Sequence, residues 1–238
     1  MRPAATTSPV RSRPAVKICG VCRAQDALVA AAAGADYVGI VLSPRGPRAQ
    51  TLEQAAITFA ALAGATVRRV GVFVDAQPDD MLHAAETLRL DVLQLHGDEP
   101  AERVEQLRAG GRFRVWKAVR LRSSAELAEA AARYARADAL LLEGAAERGS
   151  SGVRFDWVGV AHELARLPSS PTIVVAGGLT PENVAVAIGL LRPAVVDVSS
   201  GVERVVGEKS GDRVRAFIAA ARAAGGTAER AEHVERRP

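Results

Sequence analysis

Short apolar runs alternate with alanine-rich segments along most of the chain. The runs are rich in Val, Ile and Leu and lie at residues 15–19, 37–42, 69–74, 91–95, 113–119, 139–142, 172–175 and 194–198. Each run is continuously apolar instead of alternating with polar residues, which is typical of parallel strands that are covered on both faces. The pattern therefore predicts eight buried parallel strands.

The segments between these runs have apolar residues at helical spacing. Examples are AQDALVAAAAG, LEQAAITFAALAG, DDMLHAAETLRL and SSAELAEAAARYAR. Strand and helix thus alternate throughout, and eight such units in 238 residues favour an α/β fold of the (β/α)8 TIM barrel type, eight parallel strands ringed by helices. The alternative is an open doubly wound sheet, but the chain has neither GxGxxG after its first strand nor GxxxxGK[ST].

The two ends of the chain differ from the repeating pattern. The leader MRPAATTSPVRSRPA and the tail GGTAERAEHVERRP are polar, and the leader lacks the apolar region of a signal peptide. We expect a disordered extension at 1–14, a single catalytic barrel domain at 15–224 and a disordered tail at 225–238. No apolar run approaches the ~18 residues of a membrane span, so we expect no membrane partner.

Charge and cysteine content limit the function classes. The net charge is +4, but 31 basic and 27 acidic residues are interspersed and only 4% of the residues are aromatic. Neither a basic stripe nor a stacking platform is visible, so we expect no nucleic acid partner and a preference for small anionic molecules. Two cysteines in the whole chain are typical of a reducing compartment, which predicts a cytoplasmic protein.

Active sites of (β/α)8 barrels lie at the C-terminal ends of the strands. Chemically informative residues follow or end most of the predicted strands: Lys17, Cys19, Arg45, Arg48, Asp75, Gln94, His96, Lys117, Arg120, Glu143, Gly177, Gly178, Asp197, Ser199, Ser200 and Gly201. We expect the functional side chains among them.

Two glycine- and serine-containing loops predict a phosphate site. Gly177 and Gly178 follow the seventh run in VVAGGLTPEN, and Ser199, Ser200 and Gly201 follow the eighth in VVDVSSGVE. Backbone N–H groups freed in such loops bind anions, and this place in the barrel is the usual phosphate site. The alternative is that the glycines only make tight turns.

The two cysteines lie three residues apart in KICGVC. The four histidines show no metal-ligand spacing with either cysteine, so we expect no metal site. A redox C-x-x-C motif is one alternative, and burial as small hydrophobic residues is another, which suits Cys22 best. Cys19 ends a strand beside Lys17, whose ammonium is expected to lower the thiol pKa and favour a reactive thiolate.

Several segments, taken in order, resemble the signature blocks of the phosphoribosylanthranilate isomerase family. They are KICG, GADYVGIV with a following GPR, VGVFV, LQLHGDE, GVRFDW, AGGLTPENV and VDVSSGVE, spread over residues 16 to about 218. The resemblance implies an Amadori rearrangement of N-(5-phosphoribosyl)anthranilate to 1-(o-carboxyphenylamino)-1-deoxyribulose 5-phosphate in tryptophan biosynthesis. It implies general acid/base catalysis without a cofactor, a small phosphosugar-anthranilate substrate, and a monomer or homodimer.

The resemblance also implies roles for particular residues. Cys19 matches the general base of the family, and Arg48 matches the arginine that binds the anthranilate carboxylate, with Arg45 as the alternative. Lys17, Gln94, His96 and Asp197 are expected to support the site. His96 is equally consistent with a structural histidine, and Asp197 with an acid that caps backbone N–H groups.

One position departs from the family pattern. The general acid of the family is an aspartate in an L-L-D context, whereas this chain has Glu143 in LLLEG. Glutamate has a similar reference pKa but one more methylene, and a displacement of about 1 Å can cost ~10²-fold in rate. Glu143 is the expected acid, with Glu147 as an alternative.

A further alternative is a divergent barrel that binds a related sugar phosphate without this turnover. The related phosphosugar isomerases of histidine biosynthesis use two aspartates, whereas the first strand here ends in Cys19.

Overall fold

The protein forms a closed barrel of eight parallel strands that pair in chain order, with the last strand returning to the first. The computed structural model describes residues 13–44, 46–144, 156–168 and 171–235. The strands are β1 Ala15–Ile18, β2 Tyr37–Val41, β3 Arg68–Phe73, β4 Val92–Leu95, β5 Arg114–Leu121, β6 Ala139–Gly144, β7 Ile173–Val175 and β8 Val195–Val198. The predicted (β/α)8 fold is confirmed, and each predicted strand overlaps an observed one.

Helices surround the barrel and alternate with its strands. They are α1 Ala24–Ala32, α2 Leu52–Ala60, α3 Pro78–Leu88, α4 Ala101–Gly110, α5 Glu126–Arg133, α6 Trp157–Arg166, α7 Val184–Leu191 and α8 Gly211–Glu235. A 3₁₀ turn at Ser200–Val202 follows β8, and a short antiparallel hairpin of β9 Glu203–Val205 and β10 Glu208–Lys209 precedes α8. The apolar pattern did not predict this hairpin because its strands are short and charged.

The core has two layers because successive side chains of a strand point to opposite faces. Val70, Val92, Trp116 and Leu141 belong to the buried cluster inside the barrel, where the rings of Trp116 and Tyr37 meet edge-on at 5.1 Å. A larger buried cluster lies between the strands and the helices. Both faces of the strands are therefore apolar, as the continuous runs indicated.

The C-terminal segment differs from its prediction. Residues from 225 onward were expected to be disordered, but α8 continues to Glu235. The segment TAERAEH is rich in Ala, Glu and Arg, which have high helix propensity, and it extends a helix that is already nucleated. The predicted disorder of residues 1–12 and 236–238 falls outside the described residues. Over the described part of the chain, no helix is long and apolar enough to cross a membrane.

Two leucines on helices test where the stabilising contacts lie. Leu127 on α5 is fully buried, whereas Leu28 on α1 is 50% exposed. We expect Leu127→Ala to lower the free energy of unfolding by about 2–5 kcal/mol, because it leaves a cavity as well as losing apolar burial. Leu28→Ala should change it by less than about 0.5 kcal/mol. Urea unfolding of both variants measures this, and equal losses would contradict the described packing.

Candidate active site

A cavity of about 330 Å³ opens at the C-terminal end of the barrel. It brings together residues that are far apart in the sequence. The predicted site residues that line it are Cys19, Arg48, Gln94, His96, Glu143, Gly177, Gly178, Asp197, Ser199, Ser200 and Gly201. Lys17 is fully buried and is not part of the lining.

The two-residue repeat of the strands explains why these side chains meet. Lys17 and Cys19 are two residues apart and both approach Gly39 of β2, where an added Cβ would lie 3.0 Å from Lys17 Cε and 3.1 Å from Cys19 Sγ. A larger residue at position 39 would displace them. Glycine in β2 therefore makes room for the two side chains inside the barrel.

Lys17 and Asp197 form a buried ion pair across the β1–β8 seam. They are register partners, and Lys17 Nζ donates to Asp197 Oδ2 at 2.8 Å. The side chain of Lys17 is 0% exposed and that of Asp197 is 6% exposed. The other oxygen, Asp197 Oδ1, is buried and has no hydrogen-bond partner among the described residues.

The environment of Cys19 contradicts the predicted lowering of its thiol pKa. Burial raises the pKa of the Cys19 thiol and outweighs the lowering effect of Lys17. Asp197 raises the Cys19 pKa further because its carboxylate repels a neighbouring thiolate. The sequence could identify Lys17 but not its anionic partner, so the prediction of a lowered pKa is wrong. Both effects favour the neutral thiol of Cys19.

Glu143 is held by two side chains on the other side of the cavity. His96 Nε2 and Arg120 Nε both contact Glu143 Oε1, at 3.1 and 2.9 Å. The amide nitrogen of Gln94 lies 2.9 Å from His96 Nδ1, an arrangement in which Nδ1 accepts and Nε2 carries the proton toward Glu143. Burial favours a raised pKa for Glu143, but the hydrogen bonds from His96 and Arg120 and the positive charge of Arg120 prevail and lower it.

Arg48 lines the cavity, and its guanidinium is bound by Glu203, which is not part of the cavity lining. Arg48 Nε and Nη2 donate to the two carboxylate oxygens of Glu203 at 2.7 and 2.6 Å. Lys209 Nζ donates to the same Glu203 at 2.9 Å. These contacts bring the pKa of Glu203 down to about 2, against the opposing effect of burial. The alternatives Arg45 and Glu147 lie outside the described residues.

The two predicted phosphate loops both face the cavity. Gly177 and Gly178 have φ angles of +83° and +68°, a backbone conformation that favours glycine, and an added Cβ at Gly178 would meet no atom within 4 Å. An added Cβ at Gly201 would collide with the carbonyl of Leu179, so the two loops approach each other closely. Both loops line the cavity, where backbone N–H groups of such loops suit an anion.

Apolar side chains complete the cavity between its charged ends. Val41, Val72, Val74, Ala176 and Leu179 contribute to the lining. This surface suits an apolar group, and Arg48 lines the same cavity. The cavity thus combines apolar side chains, a cation and the two glycine-containing loops that were predicted to bind phosphate.

Other predicted strand-end residues have different positions. Lys117 is 2% exposed and donates to Glu99 Oε2 and to the Gly97 and Ala118 carbonyls, at 3.1, 2.7 and 2.9 Å. Its ammonium is therefore engaged outside the cavity lining. Asp75 accepts a hydrogen bond from the Asp98 backbone N–H instead of facing the cavity.

Cys22 is half-buried, and both cysteines are free. Cys22 Sγ lies 3.6 Å from the Gly20 carbonyl oxygen and 3.7 Å from that of Arg48. It therefore packs beneath the loop that carries Arg48.

Sequence reasoning missed the partners of Arg48. Glu203 was inside the VDVSSGVE block but received no role, and Lys209 lies in the unpredicted hairpin. The position of Glu203 two residues after the predicted phosphate loop Ser199–Gly201 was the only sequence feature that could have suggested a role for it.

Comparisons with known proteins agree on one family. The model of the N-(5'phosphoribosyl)anthranilate (PRA) isomerase family matches residues 16–220. An N-(5'-phosphoribosyl)anthranilate isomerase of Rubrobacter xylanophilus is 48% identical over 210 residues, which are 87% of this chain and 98% of that protein. One from Pseudomonas fluorescens is 42% identical over 87% of this chain and 94% of its own length.

Solved structures give the same result. The phosphoribosyl anthranilate isomerase of Thermotoga maritima superposes with a TM-score of 0.80 at 38% identity, covering 88% of this chain and 99% of that one. A phosphoribosyl anthranilate isomerase in complex with reduced 1-(o-carboxyphenylamino)-1-deoxyribulose 5-phosphate has a TM-score of 0.77 at 37% identity, with the same coverage.

Alkylation tests the neutral resting state of Cys19. In a Cys22→Ala variant, the rate of reaction with iodoacetamide should rise about tenfold per pH unit as far as pH 9, because only the thiolate reacts. The reacted fraction is measured by mass spectrometry from pH 6 to pH 10, with the urea-unfolded variant as the control. A rate that reaches its plateau below pH 8 would show an activated thiolate and contradict the described environment.

Proposed function

Because this chain belongs to the N-(5'-phosphoribosyl)anthranilate isomerase family, we propose that Cys19 is the general base and Glu143 the general acid of its reaction. The protein is an isomerase of tryptophan biosynthesis that carries out the Amadori rearrangement of N-(5-phosphoribosyl)anthranilate. The observation that carries the assignment of roles is the position of Cys19 and Glu143 in one cavity. Cys19 directly follows β1 and Glu143 lies one residue before the end of β6, and the two strands between them in the barrel, β7 and β8, lead into the glycine and serine loops.

The first step opens the sugar ring. Glu143 gives its proton to the furanose ring oxygen while the bond from that oxygen to C1′ breaks. The lone pair of the anthranilate nitrogen forms the C=N bond of a protonated Schiff base. Glu143 Oε1 accepts from both His96 and Arg120, so Oε2 is the oxygen proposed to carry the transferred proton.

The second step moves a proton from C2′. The thiolate of Cys19 removes it, and the electrons of the C–H bond form a double bond between C2′ and C1′ as the C=N electrons return to nitrogen. The resulting enolamine then loses its hydroxyl proton and gains one at C1′, which yields the ketone. No electron leaves the substrate, so the reaction is an internal redox rearrangement.

The substrate must invert the resting protonation states. The neighbouring protein groups favour a thiol and a carboxylate, whereas the reaction needs a thiolate and a carboxylic acid. The two arrangements contain the same number of protons, so no net uptake is required. A bound substrate that excludes water from Glu143 raises the pKa of that acid, and the positive Schiff base lowers the pKa of Cys19.

The remaining lining matches the other parts of the substrate. We assign the phosphate to the backbone of Gly177, Gly178 and the Ser199–Gly201 loop, because both segments open onto the cavity. The anthranilate ring is assigned to the apolar wall and its carboxylate to Arg48 as a charge-assisted pair. Asp197 Oδ1, which is buried and unpaired among the described residues, is assigned to a sugar hydroxyl.

A barrel that only binds a sugar phosphate would need neither Cys19 nor Arg48. Both line the cavity beside the glycine loops, which favours turnover over simple binding. The family's aspartate is replaced by Glu143, and its longer side chain remains within reach of the cavity.

Location and assembly are part of the proposal. Two free cysteines suit a reducing cytoplasm. The dispersed charge gives no reason to expect nucleic acid binding. A structurally similar isomerase from Thermotoga maritima is dimeric, and a monomer or homodimer is proposed here.

Substitution tests the assignment of acid and base. Cys19→Ala and Glu143→Gln should each lower kcat at least ~10²-fold, because each removes a proton-transfer group. Glu143→Asp should retain or raise turnover, since it restores the family's acid. The decay of anthranilate fluorescence measures turnover with substrate generated in situ, and Cys22→Ala serves as the matched cysteine control.

Two results would contradict the proposal. Unimpaired turnover by either Cys19→Ala or Glu143→Gln would remove that residue from its role. A parent protein that is inactive while Glu143→Asp is active would show that glutamate does not replace the aspartate as the acid.

A further inference from the structure

Glu203 is a buried carboxylate that lies behind the cavity wall. Its side chain is 5% exposed, and it is not among the residues that line the cavity. Arg48 does line the cavity and is 23% exposed. Glu203 can therefore influence a bound molecule only through the residues that it holds.

The contact between Arg48 and Glu203 fixes the orientation of the guanidinium. Both carboxylate oxygens accept, one from Nε and one from Nη2. Such a two-point contact sets the plane of the group as well as its position. It uses the Nε edge of the guanidinium, so the donor hydrogens of Nη1 take no part in it.

Glu203 is itself fixed to the phosphate loop. It directly follows the 3₁₀ turn Ser200–Val202. Lys209 Nζ donates to Glu203 Oε1 at 2.9 Å and to the Ser199 carbonyl oxygen at 3.1 Å. The carboxylate therefore connects Arg48 to the loop through both the chain and a buried lysine.

Gly20 makes the approach of the two segments possible. It has a φ of +64°, and an added Cβ would lie 2.6 Å from Arg48 Cδ and 2.8 Å from Ser199 Oγ. Arg48 and the phosphate loop are thus packed against the same glycine. Their separation is set by close packing as well as by the ion pairs.

The charge balance of the group leaves Arg48 able to attract an anion. Arg48 and Lys209 are cations and Glu203 is an anion, so the three together retain one positive charge. Without Lys209, the charge of Glu203 would cancel that of Arg48. Lys209 is 4% exposed and makes no contribution to the cavity lining.

We propose that Glu203 is a positioning residue that holds the Arg48 guanidinium at a fixed distance from the phosphate loop, and so selects substrates that carry a carboxylate and a phosphate at matching separation. The inference rests on the proposed role of Arg48 in binding the anthranilate carboxylate. It adds a residue that touches no substrate atom. Its effect is on binding of the carboxylate end and passes entirely through Arg48.

A double-mutant cycle tests this inference. Glu203→Gln keeps the size of the side chain, but its NH₂ group faces a donor of Arg48 and breaks the two-point contact. We expect KM for phosphoribosylanthranilate to rise about tenfold or more, with a smaller change in kcat. In an Arg48→Ala background, the same substitution should change KM by less than twofold, because the group through which Glu203 acts is gone.

Control variants separate positioning from loss of structure. Glu208→Gln alters a glutamate of the same hairpin that pairs with Arg204 and should leave KM within twofold of the parent. Thermal unfolding checks that each variant is folded. Glu203→Asp keeps the negative charge but shortens the side chain by one methylene, so its KM should lie between those of the parent and Glu203→Gln. If Glu203→Gln does not fold, Glu203→Asp replaces it in the same test.

The outcomes distinguish this inference from the function on which it rests. If Arg48→Ala leaves KM unchanged, the carboxylate role of Arg48 is wrong and the inference falls with it. Two other results would overturn only the positioning role, provided that Arg48→Ala raises KM. In the first, Glu203→Gln alone leaves KM unchanged. In the second, Glu203→Gln raises KM by the same factor in the parent and in the Arg48→Ala background.

Discussion

The pairing of β1 with β8 closes the barrel, and the rest of the site depends on it. Their register sets Lys17 opposite Asp197 and forms a buried ion pair with a 2.8 Å contact. Removing either charge would leave the other buried and uncompensated, which typically costs about 3–5 kcal/mol. Since Cys19 and Ser199 lie two residues beyond this pair, the same register brings the proposed base beside the proposed phosphate loop.

The charged side chains of the site are held by partners within the protein. Lys17 is paired with Asp197, Glu143 with His96 and Arg120, and Arg48 with Glu203. The contacts of His96 and Arg120 lower the pKa of Glu143, whereas burial raises the pKa of Cys19. The proposed roles therefore require bound substrate to shift both pKa values in the opposite directions.

The two proposed anion sites of the cavity are connected through Glu203. The proposed phosphate loop is followed after Val202 by Glu203, which binds Arg48, and Lys209 contacts both Glu203 and Ser199. A chain of buried ion pairs resists small displacements because every group loses a partner when one moves. The spacing between Arg48 and the proposed phosphate loop is thereby part of the fold.

The sequence by itself determined the eight strands, the barrel and most residues of the cavity. Continuous apolar runs identify strands buried on both faces, and polar residues where such runs end must meet at one rim of a closed barrel.

Tertiary structure decided which charges lie next to one another in the site. The sequence shows Lys17 beside Cys19, but Asp197 is 180 residues away and only strand register brings it to the same lysine. Likewise, Glu203 is 155 residues from Arg48, and only barrel closure makes them partners. A pKa depends on every neighbouring charge and on burial, and neither can be read from local sequence.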